Sequence, residues 1–153
     1  MKKMLYRLFI AGLLCMPALP TLAAPMPQAA QAQPTLYKQL GGYDAISAVT
    51  QDFLDRLAKD PLLGKFFVGH NTESLQRIRQ HIVDFLCNAT GGPCLYTGRD
   101  MKTAHTGLHI TDAEWNAAAQ DLVQTLDKFK VPEQQKTEVL NSITALKSQI
   151  VGQ

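Results

Sequence analysis

No alternation of apolar and polar residues marks a strand anywhere in the chain, and no segment repeats, which argues against sheet-based and solenoid architectures. There is no glycine-rich phosphate cradle and no Ser/His/Asp or Cys/His grouping, so the usual signs of nucleotide binding and nucleophilic catalysis are missing. Charge of one sign is scarce as well. The formal net charge is +2, and Lys2, Lys3 and Arg7 supply three of the positive charges. Without them the remainder carries about one net negative charge. With no Lys/Arg stripe along one face, nucleic-acid binding loses its main support.

Long hydrophobic runs are absent too. The longest, residues 8–19, is broken by Pro17 and is shorter than the ~20 helical residues a bilayer requires. Preceded by basic residues and followed by Thr21-Leu22-Ala23, it reads as a signal peptide over 1–23. Export, most simply to a periplasm, follows from that reading. Residues 24–34 contain no charge, cannot bury a core and read as a flexible leader. The remaining 35–153 has the length of one domain.

What is present in that domain has helical spacing. Residues 44–59 repeat apolar side chains at Ile46, Val49, Phe53 and Leu57, and Pro61 ends the helix. Asn71 caps the next one, whose stripe is Leu75, Ile78, Ile82, Phe85 and Leu86 before Gly91-Gly92-Pro93. A short helix lies near 100–106. Thr111 and Glu114 form a capping box opening a helix with Trp115, Ala118, Leu122, Leu126 and Phe129 on one side. Pro132 suits a first helical position, and a last helix buries Val139, Ile143, Leu146 and Ile150. The class is all-α.

Three cysteines and four histidines remain to be placed. Cys15 leaves with the leader. Cys87 and Cys94 are an even pair across a short loop, which permits a disulfide in an exported chain; two thiols are the other reading. His105 and His109 have the i, i+4 spacing of a zinc pair, but Gly107 lies between them and Thr106 stands where a metalloprotease places Glu. His105 by itself reads equally as a hydrogen-bonded structural residue. His70 and His109 read as exposed.

Several motifs in order carry a resemblance. Leu36-Tyr37-Lys38-Gln39-Leu40-Gly41-Gly42, the corner 61–67 ending in Phe66-Phe67, the run Gly91-Gly92-Pro93-Cys94-Leu95-Tyr96-Thr97-Gly98 leading to Met101 and His105, and Lys130-Val131-Pro132 together resemble the group I truncated haemoglobins. The likeness spans 35–151. It implies a truncated globin domain, a two-over-two helical sandwich around haem b. Without Cys-x-x-Cys-His, attachment would not be of the c-type. By the same resemblance His105 is the proximal iron ligand through a neutral imidazole, its other ring nitrogen donating to a backbone carbonyl or similar acceptor. Phe67 packs on the porphyrin, and Tyr96, Met101 and Trp115 line the proximal side or edge; each also reads as ordinary core. Arg99 and Lys102 read either as partners of the propionates or as solvated surface charges.

The distal side departs from the family pattern. Leu54 follows Asp52-Phe53 where a tyrosine is common, and Ile78 and Ile82 stand where many members place glutamine. A distal hydrogen bond to partly charged O2 is worth more than an ordinary one of ~1 kcal/mol, so its loss predicts faster oxygen release. His81, at the edge of the stripe, reads three ways: facing solvent or a propionate, ligating the iron, or donating to a bound ligand. The functions implied are reversible binding of O2, NO or CO, with bis-histidine electron transfer or NO dioxygenation assisted by a reductase as alternatives. The expected oligomeric state is a monomer or weak dimer.

Overall fold

A computed structural model describes residues 33–153; the signal-peptide reading and residues 24–32 of the leader reading lie outside the described residues. The described residues are helical throughout: α1 (Leu36–Gln39), α2 (Gly42–Lys59), a 3-10 turn at Gly64–Phe67, α3 (Thr72–Ala89), α4 (Met101–His105), α5 (Asp112–Lys128), α6 (Glu133–Thr144) and α7 (Lys147–Ile150). α2 packs on α3 and across onto α5, and α5 packs on α6. Two helix pairs therefore stack through α2 and α5, as the two-over-two expectation requires.

Local chemistry sets the helix boundaries. The Asn71 side chain accepts from Ser74 N at 2.8 Å to start α3. Thr111 and Glu114 form the full reciprocal capping box of α5. The loop after α3 needs both of its glycines, for different reasons. Gly91 has φ +82°, reached cheaply only without a Cβ. A Cβ on Gly92 would lie 2.5 Å from the Tyr37 ring and 2.7 Å from the Cys87 carbonyl oxygen. That close approach lets the Gly92 N–H reach the Cys87 carbonyl at 2.8 Å, and the chain reverses in place. Cys87 and Cys94 are bridged across this reversal, with Cα atoms 5.7 Å apart.

Two compact clusters flank the middle of the domain. Ile46, Val83 and Cys87 pack together, joined by Tyr37, Leu86 and Cys94. Leu122, Leu126 and Val139 form the other, with Phe53, Ile143 and neighbours around it. The first corrects the expected stripe of α3. Val83 and Cys87 are its wholly buried residues, while Ile78, Ile82 and Phe85 are only partly covered by protein because they face a cavity.

Three further expectations change. Phe129 is the C-cap of α5 and 38% exposed, with Lys128 Nζ 5.9 Å from its ring centroid. Pro132 is the N-cap of α6. The last helix breaks after Thr144, where the Leu146 N–H bonds the Ile143 carbonyl in a tight turn. The break redirects α7 onto α4, and Lys147 anchors it to Asp112 at 2.6 Å.

A polar node ties the two layers together. Asp52 on α2 accepts from Arg56 Nε (2.9 Å), from Thr125 Oγ1 on α5 (3.1 Å) and from Lys128 Nζ. Arg56 in turn donates to Gln124 Oε1 at 2.8 Å. Led by the Lys128 bond, these donors hold the Asp52 carboxyl at about 2, below its ordinary 3.8. The stabilisation is thus present above pH 3.8 and lost as pH falls through about 2. Asp52→Asn is expected to lower urea-unfolding stability by about 1–3 kcal/mol at neutral pH, with the deficit shrinking as pH drops from 4 toward 2. An undiminished deficit at the acid end would contradict the electrostatic origin.

Candidate cofactor-binding site

The space between the helix pairs is a cavity of about 1230 Å³, larger than the ~300–1,000 Å³ of ordinary small-molecule pockets. Its wall is mostly apolar. Phe53, Leu54 and Leu57 come from α2, Phe66 and Phe67 from the 3-10 corner, and Ile78, Ile82 and Phe85 from α3. Met101 and His105 come from α4, Trp115 and Ala118 from α5, and Leu146 and Ile150 from around α7. All nine side chains singled out from the sequence (Leu54, Phe67, Ile78, His81, Ile82, Tyr96, Met101, His105 and Trp115) line it together.

His105 is the last residue of a five-residue helix, too short to persist alone in water. Asp100 begins it: Oδ1 accepts from Thr103 N at 2.9 Å and Oδ2 from Thr103 Oγ1 at 2.7 Å. Those bonds hold the Asp100 carboxyl below its usual range. Packing against α7 supports the helix from behind. The imidazole Nδ1 lies 2.7 Å from the Met101 carbonyl oxygen. A carbonyl only accepts, so Nδ1 carries a hydrogen and donates it. The bond fixes the ring orientation on the cavity wall and leaves Nε2 as the nitrogen without a protein partner.

Tyr96 shows why the Tyr-x-Gly sequence is needed. Its hydroxyl donates to the Arg99 carbonyl at 2.5 Å, and the ring folds over Gly98, where a Cβ would fall 2.4 Å from the phenol oxygen. Burial, then the charge of Asp100, pushes the phenol upward from its ordinary value. The ring meets Phe85 edge-on at 5.3 Å and His81 at 6.4 Å.

The wall opposite His105 offers few donors. Leu54, Ile78 and Ile82 are apolar, and Gln80 turns away to bond Tyr43 Oη and Asp84 Oδ1, each at 2.9 Å. His70 lines the cavity but pairs with Ser74 Oγ at 2.8 Å. Arg77 and Arg99 lie along the cavity wall, whereas Lys102 is exposed and does not line it. His109 is exposed, with φ +51° and its N–H donated to the Gln153 carbonyl.

Glu114 was legible in the sequence only as a cap. Its Oε2 accepts from Thr111 N (2.7 Å) and Oγ1 (2.8 Å), while Oε1 meets Lys65 Nζ at 2.5 Å. Lys65 above all, then Thr111, holds the carboxyl at about 2 against an ordinary 4.5. The ion pair pins the Phe66-Phe67 corner to the start of α5. Sequence reasoning left Phe53, Leu57, Phe85, Leu146 and Ile150 in the core, yet all line the cavity. Only Phe85 had a signal, since it shares the α3 stripe with Ile78 and Ile82. Lys65 carried no signal, because its partner is distant in the chain.

A model of the bacterial-like globin family matches residues 35–151. A group 1 truncated hemoglobin GlbN from Mycolicibacterium paratuberculosis is 34% identical over 116 residues, covering 76% of this chain and 83% of that protein. The GlbN of Synechocystis is 36% identical over 109 residues, 69% of this chain and 86% of the relative. Among solved structures, the Fe(III) form of truncated hemoglobin from Tetrahymena pyriformis superposes with a TM-score of 0.72 at 26% identity, over 78% of this chain and all of that one. The 2/2 hemoglobin of Synechococcus, solved in the cyanomet state with covalently attached heme, gives 0.68 at 28% identity, over 76% of this chain and 95% of the other. A histidine fixed by its own helix's carbonyl on an apolar cavity between two helix pairs accords with that kinship, and this chain belongs to the bacterial-like globins as a haem-binding member of the group 1 truncated haemoglobins.

Proposed function

We propose that the protein holds haem b without a covalent link and exchanges a diatomic gas (O2, NO or CO) at the iron, with His105 as the proximal ligand. The observation that carries this reading is the 2.7 Å contact of His105 Nδ1 with the Met101 carbonyl, which leaves Nε2 as the ligating nitrogen and fixes the ring plane. The bound macrocycle supplies a ferrous centre with an open coordination position. The chain supplies everything else. Phe67, held by the Glu114–Lys65 pair, packs on one face; Met101 and Trp115 bound the proximal side. Arg77 and Arg99, on the same wall, are suited to the two carboxylates. Both cysteines among the described residues are bridged to each other, which accords with non-covalent retention.

Leu54, Ile78 and Ile82 exclude water from the distal side and donate nothing to a polarised ligand. Rapid gas exchange therefore fits the site better than tight oxygen storage. NO dioxygenation needs a long-lived oxygen complex and a reductase, and the apolar wall counts against it. A second reading rests on His81, which lines the cavity beside Tyr96 and could occupy the sixth position, favouring electron transfer or gated binding. Export, argued from residues 1–23, would put this chemistry outside the cytoplasm and nearer to scavenging or sensing than to bulk delivery.

Two measurements test the reading. Reconstitution with hemin is expected to give a Soret band that His105→Ala abolishes or shifts to a weakly held form. A band unchanged by that substitution removes the assignment. Ile82→Gln, which restores a donor, is expected to slow stopped-flow O2 release by about 10- to 100-fold, the worth of one charge-assisted hydrogen bond. An unaltered rate would mean that the distal wall does not control release.

A further inference from the structure

The proposed function makes no use of the bridged cysteines, yet Cys87 follows His81 by six residues on the same helix. Cys87 occupies the last turn of α3, the helix that carries His81 and, one turn further on, Phe85. Three connections fix the returning strand of the loop against that turn: the Gly92 N–H to the Cys87 carbonyl (2.8 Å), Asn88 Nδ2 to the Cys94 carbonyl (3.0 Å), and the Cys87–Cys94 bridge itself. Cys87 is wholly buried against Val83 and Ile46, so its end of the bridge is immobile.

Tyr96 follows Cys94 by two residues, a reach of only ~7 Å even in extended chain. The tethered cysteine therefore limits where the phenol ring can go. Its hydroxyl is tied to the Arg99 carbonyl at 2.5 Å, and its ring stands edge-on to Phe85 at 5.3 Å and to His81 at 6.4 Å, within the 4.5–7 Å range of attractive aromatic pairs. His81 is otherwise exposed, and among the described residues its ring has no hydrogen-bond partner. The ring contact with Tyr96 is what restrains it.

We infer that the Cys87–Cys94 bridge and Tyr96 act together as positioning residues that hold the imidazole of His81 at the cavity wall. In its consequence for the iron this rests on the haem-binding reading above; the positioning itself does not. Opening the bridge takes two electrons and two protons, one of each per sulfur. A water-soluble phosphine supplies the electrons and ends as the phosphine oxide, with its oxygen from water. Cys94 is half-buried and reachable, whereas Cys87 stays in the core as a thiol. Without the covalent link the returning strand is held to α3 by hydrogen bonds alone, Tyr96 is released from the edge of His81, and the imidazole relaxes into solvent.

The haem-free protein tests the positioning directly. With the bridge closed, proton NMR is expected to show a nuclear Overhauser contact between the Tyr96 and His81 rings that disappears on phosphine treatment and is missing from Cys94→Ser throughout. In the ferric, hemin-loaded protein, the low-spin two-histidine fraction is expected to fall about 2- to 10-fold on reduction, the range equivalent to one aromatic contact. Cys94→Ser should start at the lower value and not respond, and His81→Ala should abolish the low-spin component. If the ring contact survives complete reduction, confirmed by thiol counting, the inference is overturned whatever the iron does. A protein that shows the thiol-dependent contact but no Soret band would instead defeat the haem reading and leave the positioning standing.

Discussion

The helices of this domain present many of their apolar side chains to a shared space of about 1230 Å³ instead of to one another, and the rest of the structure is arranged around that constraint. Among the described residues only seven apolar side chains are buried, and all but Leu63 fall into two clusters at the flanks. A domain of this size gains its stability as a small difference between large terms, so apolar surface left facing a cavity is a substantial sacrifice. A ligand that binds only the folded state returns that stability by mass action. Until then the walls must be held apart by other means. The Asp52 node between α2 and α5, the Glu114–Lys65 pair between α5 and the corner, and the Cys87–Cys94 bridge all lie on the frame around the cavity.

The same constraint explains why His105 sits on so short a helix. A five-residue element gains little from its own hydrogen bonds, and its orientation is dictated by its ends. Asp100 fixes the first turn through Thr103, and α7, bent by the break at Leu146, closes against it from outside. Within the helix, Met101 supplies both a side chain to the cavity and the carbonyl that orients the imidazole four residues later. One turn of helix thus carries the imidazole, the carbonyl that orients it and part of the pocket wall.

Much of this was legible in the sequence because the relevant signals are local. Helical spacing revealed the elements, Thr111 and Glu114 announced the start of α5, and the ordered motifs from Leu36 to Pro132 gave the family and the cavity-lining residues. What escaped was non-local or dual in purpose. The α3 stripe looked like a core face because a periodicity cannot distinguish contact with protein from contact with a cofactor; Val83 and Cys87, one step around the helix, make the protein contact. Phe129 has the right spacing but falls at the C-cap, where the chain turns away. The division of the last helix follows from α7 packing on α4, a tertiary demand with no Gly or Pro to announce it. Lys65 has no sequence link to Glu114 at all.

One polar side chain on the cavity wall differs from the others. Of the imidazole and phenol groups on the cavity wall, His70 is bonded to Ser74, Tyr96 to the Arg99 carbonyl and His105 to the Met101 carbonyl, while His81 has no such partner among the described residues. A bonded polar group costs energy to reorient, because breaking it leaves an unsatisfied partner. An unbonded one moves at little cost and responds to weak forces, here the edge of an aromatic ring. Leu54, Ile78 and Ile82 offer no hydrogen bond, so that imidazole is a polar group on this part of the wall that moves cheaply. In the positioning inferred above, its resting place is governed by a phenol two residues from a covalent cross-link, which couples the cysteine pair to this part of the cavity.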